Sequence, residues 1–186
     1  MSHNTDLMEA NAKAFIAAHK KRIITLEQSK LHNDLYLHAD KPNNIDRFTY
    51  AILDSKNKRK IIAVCTFIFA QETNGLYKWS IGWYVALKHR KKGLGSLITK
   101  KAIQDFRSKL EQNTTINLIE ANVDLDNIPS LKIAEKLIGN QLLLNNRSYS
   151  FIENIEEIVN SKLNKFISNF LTKKRINDPL FNTHND

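Results

Sequence analysis

The sequence predicts an α/β fold of the α+β type: a mixed, mostly antiparallel central sheet flanked by helices, with an extra C-terminal amphipathic helix. Three observations lead to this prediction. Two runs rich in β-forming residues, 47–54 and 60–70, enclose a polar turn, which is typical of a hairpin. A third strand over 79–85 enters a glycine-containing bend, and the helix after it carries apolar residues at three- and four-residue spacing. That apolar face consists of Leu94, Leu97, Ile98, Ala102, Phe106 and Leu110.

The N-terminal part of the chain has a helical pattern. Residues 1–6 are expected to form a disordered start, and apolar residues then recur on one side of a helix from Leu7 to about His32. The pattern shows no convincing strand before residue 23. Either 22–26 is short and extended, or the sheet lacks an edge strand at this point.

The central strands follow from alternation and turn signals. The turn 55–58 joins the two hairpin strands, and the second of them is almost continuously apolar, as expected of a strand covered on both faces. Residues 71–75 are expected to form the turn before the 79–85 strand. The long helix should end at 112–115, and 116–123 should form the next strand.

The C-terminal third is predicted to contain two helices and a hairpin. A helix over 127–137 can be capped by Asp126 or Asn127, with Pro129 in its first turn. Strands 141–144 and 148–152 should pair. The final amphipathic helix begins near Ile155 and either docks on the sheet, forms a dimer interface or binds a membrane surface or partner. The predicted domains are therefore 7–152, a helical extension over 153–176 and a flexible tail over 177–186.

The bend before the long helix suits an anion. Backbone N–H groups in the first turn of a helix have no intrahelical partner and lie at the positive end of its dipole, where Gly93 and Gly95 allow close approach. Basic residues surround the two glycines: Lys88, Arg90, Lys91 and Lys92. Ile98 occupies the place of a third dinucleotide-motif glycine, and no P-loop Gly-Lys-Ser/Thr is present. An ordinary strand-to-helix turn is the alternative.

Two segments together resemble a known family. The pattern Arg90-x-x-Gly93-x-Gly95, with Val85 five residues before the arginine, is similar to the acyl-CoA pyrophosphate loop of the GNAT superfamily of N-acyltransferases. Residues 119–137 resemble the family's fifth strand and following helix, with most likeness to the branch of ribosomal-protein-alanine N-acetyltransferases. The resemblance covers about residues 47–152.

The resemblance implies a set of functional residues. The 79–85 strand should splay from its neighbour near Val85 and offer backbone N–H groups to the pantetheine arm and thioester carbonyl. Ser130 would donate a proton to the departing thiolate. The residues implied to bind acetyl-CoA are Val85, Leu87, Arg90, Lys91, Lys92, Gly93, Leu94, Gly95, Ser96, Asn127 and Ser130. For Asn127 and Ser130, helix capping is the alternative role.

The sequence departs from the family pattern at catalytic positions. Ala134 stands where many relatives have a tyrosine, and Ser80 stands where related branch members have a glutamate. Serine cannot act as a base at neutral pH without another group, so Glu72 and Glu120 are the candidate bases, directly or through water. The aromatic residues at 79, 83 and 84 either line an acceptor cleft or belong to the core.

Composition limits the other classes of function. In 186 residues, 28 Lys and Arg against 19 Asp and Glu give a formal net charge of +9, which suits CoA phosphates, ribosomal RNA, nucleic acid or an acidic protein. The single cysteine, Cys65, lies in an apolar run and is predicted to be buried and inert. A cytoplasmic location is expected, because neither a cysteine framework nor an apolar signal segment is evident. No apolar run has the roughly 18–20 residues of a membrane span.

These observations favour a cytoplasmic acetyl-CoA-dependent N-acetyltransferase that works by direct attack in a ternary complex without a metal. A poorly placed base would favour an α-amine, because about 10–17% of an α-amine but only about 0.04% of a lysine side chain is neutral at pH 7. The expected acceptor is therefore a peptide or protein N-terminus or a small amine, and the protein would be a monomer or homodimer. The alternatives are a basic RNA- or ribosome-binding module and an acyl-CoA-binding domain without turnover.

Overall fold

The computed structural model describes residues 3–73, 76–110, 116–139, 141–145 and 148–154. In chain order these residues form three helices and eight strands, with short 3-10 turns at Pro42–Asn44 and Leu87–His89. The elements are α1 (His3–Lys20), β1 (Glu27–Gln28), β2 (Leu35–Asp40), β3 (Arg47–Leu53), β4 (Ile61–Thr73), β5 (Leu76–Val85), α2 (Leu94–Leu110), β6 (Ile116–Asp124), α3 (Ile128–Leu137), β7 (Gln141–Asn145) and β8 (Ser148–Asn154).

The eight strands form one mixed sheet in the order β1-β2-β3-β4-β5-β6-β8-β7. Strands β1 to β5 follow one another as an antiparallel meander, and β6 pairs with β8 and β8 with β7 in the same sense. Only β5 and β6 are parallel, with α2 connecting them. The predicted mixed, mostly antiparallel sheet and both predicted hairpins are therefore confirmed.

Helices cover both faces of the sheet. On one face α2 and α3 bury Phe106 and Ala134 against a core that includes Ile81. On the other face α1 places Ala12 in a smaller core with Tyr84. Because neighbouring strand residues point to opposite faces, β5 contributes side chains to both cores.

The long helix and the following capped helix agree with the sequence pattern. In α2, Ile98, Ala102 and Phe106 are buried, but Leu97, which was predicted to belong to the same apolar face, is 39% exposed. In α3 the side chain of Asn127 accepts a hydrogen bond from the Ser130 N–H, as a helix cap does.

The N-terminal helix differs from its prediction at both ends. His3–Asp6 form the first turn of α1, so the expected disordered start over 1–6 does not extend over these residues. The helix ends at Lys20 instead of near His32, because Arg22 adopts a left-handed conformation with φ of 60°. The Ile23 N–H then bonds to Ala18 O and the Arg22 N–H to His19 O, which is the Schellman arrangement. Glycine is the usual residue at this position of a helix end, so the arginine gave no sequence signal that α1 stops here.

Further differences concern strands. No element was predicted at the position of β2, although its alternating leucines are a strand signal. The expected turn over 71–75 is wrong for Gln71, Glu72 and Thr73, which extend β4 and pair with β5. An edge strand is present as the two-residue β1, but it lies at Glu27–Gln28, just after the 22–26 segment that was considered for it. The predicted end of the long helix at 112–115, the helix after Ile155 and the tail from Asn177 lie outside the described residues.

Candidate active site

The main cavity lies where the two parallel strands separate. Pairing between β5 and β6 ends at Ser80 and Glu120, although β5 continues to Val85 and β6 to Asp124. The widening gap contains a cavity of about 690 Å³, which we call the first cavity. The first turns of α1 and α2 and one side of α3 form its other walls.

The β5 side of the gap presents backbone groups. The Ala86 N–H donates to Ile62 O on β4 at 3.0 Å, and alternate residues of a strand direct their backbone groups to opposite sides. Ile81, Trp83 and Val85 therefore direct their N–H and C=O groups towards the gap. The splay that was expected near Val85 is present in the sheet.

The mouth of the first cavity is the start of α2. The first i to i−4 bond of this helix joins the Leu97 N–H to Gly93 O at 3.0 Å, so the N–H groups of Leu94, Gly95 and Ser96 precede the helical ladder. All three residues line the cavity. A Cβ built on Gly93, whose φ is +73°, meets nothing within 4 Å. The bend therefore has open space beside Gly93, and its three backbone donors belong to residues that line the cavity.

The basic residues of the bend have different surroundings. Lys91 is exposed and lines the cavity, whereas Leu87 and Lys92 are exposed and do not line it. Arg90 also lines the cavity, but its Nε donates to Val85 O at 3.0 Å and its Nη2 to Glu9 at 3.2 Å. Arg90 thus fixes the bend to the end of β5 and to α1.

The start of α3 forms the wall opposite β5. Asn127 and Ser130 both line the cavity. The Asn127 Nδ2 donates to Thr5 Oγ1 at 3.3 Å, and Thr5 donates from its N–H and its hydroxyl to Asp124 at 3.0 and 2.6 Å. Asn127 therefore caps α3 and also helps hold the N-terminus of α1 over the gap.

The three candidate acid–base residues lie outside the lining of the first cavity. Glu120 is 6% exposed, pairs with Lys78 at 2.9 Å and accepts a hydrogen bond from Ser150 at 2.7 Å. Glu72 is exposed in the outer part of β4, and Ser80 is half-buried on the α1 side of the sheet. The structure therefore brings Ser80 and Glu120 together as partners across β5 and β6, whereas Glu72 pairs with Tyr77 near the start of β5.

Sequence reasoning missed the carboxylate that does line the first cavity, Glu9 of α1. Glu9 pairs with Lys13 at 2.7 Å and with Arg90 at 3.2 Å. The hydrogen bond from Lys13, with help from Arg90, holds the pKa of Glu9 below its usual value. The four-residue spacing between Glu9 and Lys13 was visible in the sequence. No nearby residue, however, indicated where α1 packs on the sheet.

A second cavity, of about 400 Å³, lies between α1 and the sheet. Its carboxylate is Asp40, which accepts from Arg47 Nε at 2.8 Å and from Nη2 at 2.5 Å. These bonds from Arg47 lower the pKa of Asp40. Among the described residues, each carboxylate that lines either cavity is therefore already paired with a cation.

The aromatic residues and the cysteine divide between core and cavity. Trp79 is 6% exposed and donates from Nε1 to Asn117 at 3.0 Å, so it belongs to the core. Trp83 and Tyr84 contribute to the first cavity as well as packing in the cores. Cys65 is buried, as predicted, and burial raises the pKa of its thiol.

Comparison with protein-family models shows which family the chain belongs to. Residues 5–138 match the family model described as the acetyltransferase (GNAT) domain, which is most of the chain. The chain belongs to the GNAT acetyltransferase family. It is an acyltransferase of the GNAT type, and enzymes of this family use acetyl-CoA as the acyl donor.

Solved GNAT structures resemble this chain at low identity. A GNAT-family acetyltransferase from Streptococcus pneumoniae has 14% identity, with 59% of this chain and 67% of that chain covered and a TM-score of 0.46. The spermidine N-acetyltransferase from Vibrio cholerae, solved with CoA and spermine, has 12% identity, coverage of 61% and 69%, and a TM-score of 0.46. The ribosomal-protein-S5-alanine acetyltransferase from Vibrio fischeri has 16% identity, coverage of 60% and 63%, and a TM-score of 0.46. No curated protein matches the sequence.

The first cavity fits the GNAT donor in two respects. The α2 N–H groups of the cavity-lining residues suit a diphosphate, because these groups are donors at the positive end of a helix dipole. The gap-facing backbone of β5 suits the amide-containing pantetheine arm. Within the described residues, no helix has the length and apolar character that a membrane crossing requires.

Proposed function

We propose that this protein transfers an acetyl group from acetyl-CoA to a primary amine, by direct attack while both substrates are bound. The observation that carries the proposal is that the β5–β6 gap and the first turn of α2 open into the same cavity. Bound acetyl-CoA would supply the activated thioester. The chain itself must then hold the diphosphate, orient the thioester and manage two proton transfers.

The bend and the sheet would share the binding role. The N–H groups of Leu94, Gly95 and Ser96 would hold the diphosphate, with Lys91 adding a full charge from the rim. Each charge-assisted hydrogen bond contributes about 1.5–3 kcal/mol. The backbone of Val85 and its gap-facing neighbours would bind the pantetheine arm and orient the carbonyl.

Ser130 is the residue we assign to the leaving group, because its hydroxyl lies on the cavity wall at the start of α3. As the new C–N bond forms and the C–S bond breaks, Ser130 would donate to the sulfur. The amine must lose a proton in the same reaction; water would accept it and would return a proton to Ser130, so that the products are the amide and the free thiol of CoA. Glu120 is held by Lys78 and Ser150, so a strong base in direct contact with the amine is not part of the proposal.

The charge of the two cavities favours an acceptor with a single amine. Glu9 and Asp40 are the carboxylates that the described residues contribute to the two linings, and each is paired with an arginine. A polyamine would bring further positive charges without free carboxylates to balance them. Since α-amines are also partly neutral at pH 7, we propose a peptide or protein N-terminus as the acceptor.

A ligand titration followed by an amine panel tests the proposal. CoA and acetyl-CoA should raise the melting temperature, and ATP should not, because it lacks the pantetheine arm. Thiol release should then be measured with three acceptors: a peptide with a free N-terminus, the same peptide N-blocked but containing lysine, and spermidine. Release with only the first acceptor is expected.

The same experiment separates the alternatives. Release with only the lysine peptide or spermidine would overturn the assignment of the acceptor. Stabilisation by acetyl-CoA without thiol release from any amine would support a domain that has lost turnover. No response to CoA, together with salt-dependent binding to RNA, would instead support a nucleic-acid-binding module.

A further inference from the structure

The two cavities meet at a small set of residues. Met8, Ile81, Gly82 and Asn122 line both of them. This meeting point is the inner end of the β5–β6 gap, because strand pairing begins at Ser80 immediately behind it. A thioester that enters along β5 from the bend would therefore reach the second cavity at this point.

Met8 occupies the meeting point. A Cβ built on Gly82 would lie 2.7 Å from the Met8 Sδ and 3.4 Å from its Cγ, so the thioether packs directly on the β5 backbone. Any other residue at Gly82 would displace it. The side chain thus stands between the inner end of the first cavity and the space under α1.

The helix that carries Met8 is fixed on both sides of the gap. Thr5, about one turn before Met8, bonds to Asp124 at the end of β6. Glu9, immediately after Met8, pairs with Arg90 beyond the end of β5. These contacts hold the helix across the two diverging strands, so the position of Met8 is set by both edges of the gap.

We propose that Met8 determines the length of acyl chain that the enzyme accepts. The proposal rests on the proposed function, since it assumes that CoA lies in the first cavity. An acetyl group would end against the thioether, whereas a longer chain would collide with it. Met8→Ala removes Cγ, Sδ and Cε and would join the two cavities, so that a longer chain could extend under α1.

A calorimetric titration tests the role of Met8 and requires no knowledge of the acceptor. The ligands are CoA, acetyl-CoA, butanoyl-CoA and octanoyl-CoA. The wild-type protein should bind butanoyl-CoA and octanoyl-CoA more weakly than acetyl-CoA. Met8→Ala should reverse the order, with a gain of about fourfold for each methylene buried, or about 15-fold for butanoyl-CoA over acetyl-CoA. The affinity for CoA itself should be unchanged.

Two variants serve as controls. Met8→Leu keeps a side chain of similar size and should keep the wild-type order. Ile16→Ala removes packing from the same face of α1, but Ile16 lines neither cavity, so it should also keep that order.

Equal chain-length profiles for wild type and Met8→Ala would overturn the proposal, as would a wild-type protein that binds octanoyl-CoA as tightly as acetyl-CoA. A gain in Ile16→Ala would attribute the effect to general loosening of α1 and would also overturn it. Failure of the wild-type protein to bind CoA itself would instead refute the proposed function, and the role of Met8 with it.

Discussion

Replacing Gly93 with leucine tests the proposed anion-binding role of the bend most directly. Nothing lies within 4 Å of a Cβ at this position, so the new side chain would project into open space and not into the core. Its positive φ would cost about 1–2 kcal/mol of stability. For a domain of this size, that cost corresponds to a fall in melting temperature of roughly 2–8 °C.

The effect on ligand binding should be larger. At 100 times the dissociation constant, CoA should stabilise the wild-type protein by about 2.7 kcal/mol, or roughly 5–11 °C. Loss of two charge-assisted hydrogen bonds, about 3 kcal/mol or more, would weaken binding more than 100-fold. At the same CoA concentration, the variant would then be stabilised by only about 0.4 kcal/mol or less.

A thermal-shift titration with CoA measures both quantities, and Gly139→Leu is the matched control. Gly139 also has a positive φ, +93°, with nothing within 4 Å of its Cβ, but it lies after α3 and outside the cavity lining. It should lose similar stability and keep the full CoA shift. An undiminished shift in Gly93→Leu, or an equal loss in the control, would refute the role of the bend.

Three further predictions follow from the contacts. Ser130→Ala should lower kcat by roughly 100-fold or more with an unchanged CoA shift, whereas Asn127→Ala should lower the free energy of unfolding by about 1 kcal/mol in urea titrations. Because Arg47 lowers the pKa of Asp40, the pair stabilises the fold above pH about 4 and loses this contribution as the pH falls further. The difference in melting temperature between wild type and Asp40→Asn should therefore shrink in acid, and a constant difference would contradict the assignment. Cys65 should react with a thiol reagent only after unfolding, since burial keeps it protonated and inaccessible.

Features that depend on neighbours in sequence were predictable. The apolar spacing of α2 and the Asn127 cap of α3 arise from interactions within one or two helical turns, so they are visible in the chain itself. The Gly93 bend belongs to the same group, because its position between a strand and a helix follows from the flanking patterns. The end of α1 was missed because Arg22 takes a conformation that its residue type seldom adopts.

Features that depend on docking were not predictable. Glu120 was a candidate base because it is a carboxylate, but in the folded sheet it pairs with Lys78 and accepts a hydrogen bond from Ser150. Asp105 sits among polar α2 residues in the sequence, yet it is 1% exposed and accepts a hydrogen bond from Tyr50 at 3.0 Å. Which charges become paired depends on elements that are distant in the chain.

The sequence by itself determined the strand-bend-helix unit and the acyltransferase family, because both rest on short-range spacing and backbone conformation. Only the tertiary structure decided that β5 and β6 separate after Ser80 and that α1 brings Met8 and Glu9 over the gap. The physical reason is that α1 is held over the gap by long-range contacts, which join Thr5 to Asp124 and Glu9 to Arg90. No local sequence pattern indicates where α1 makes these contacts.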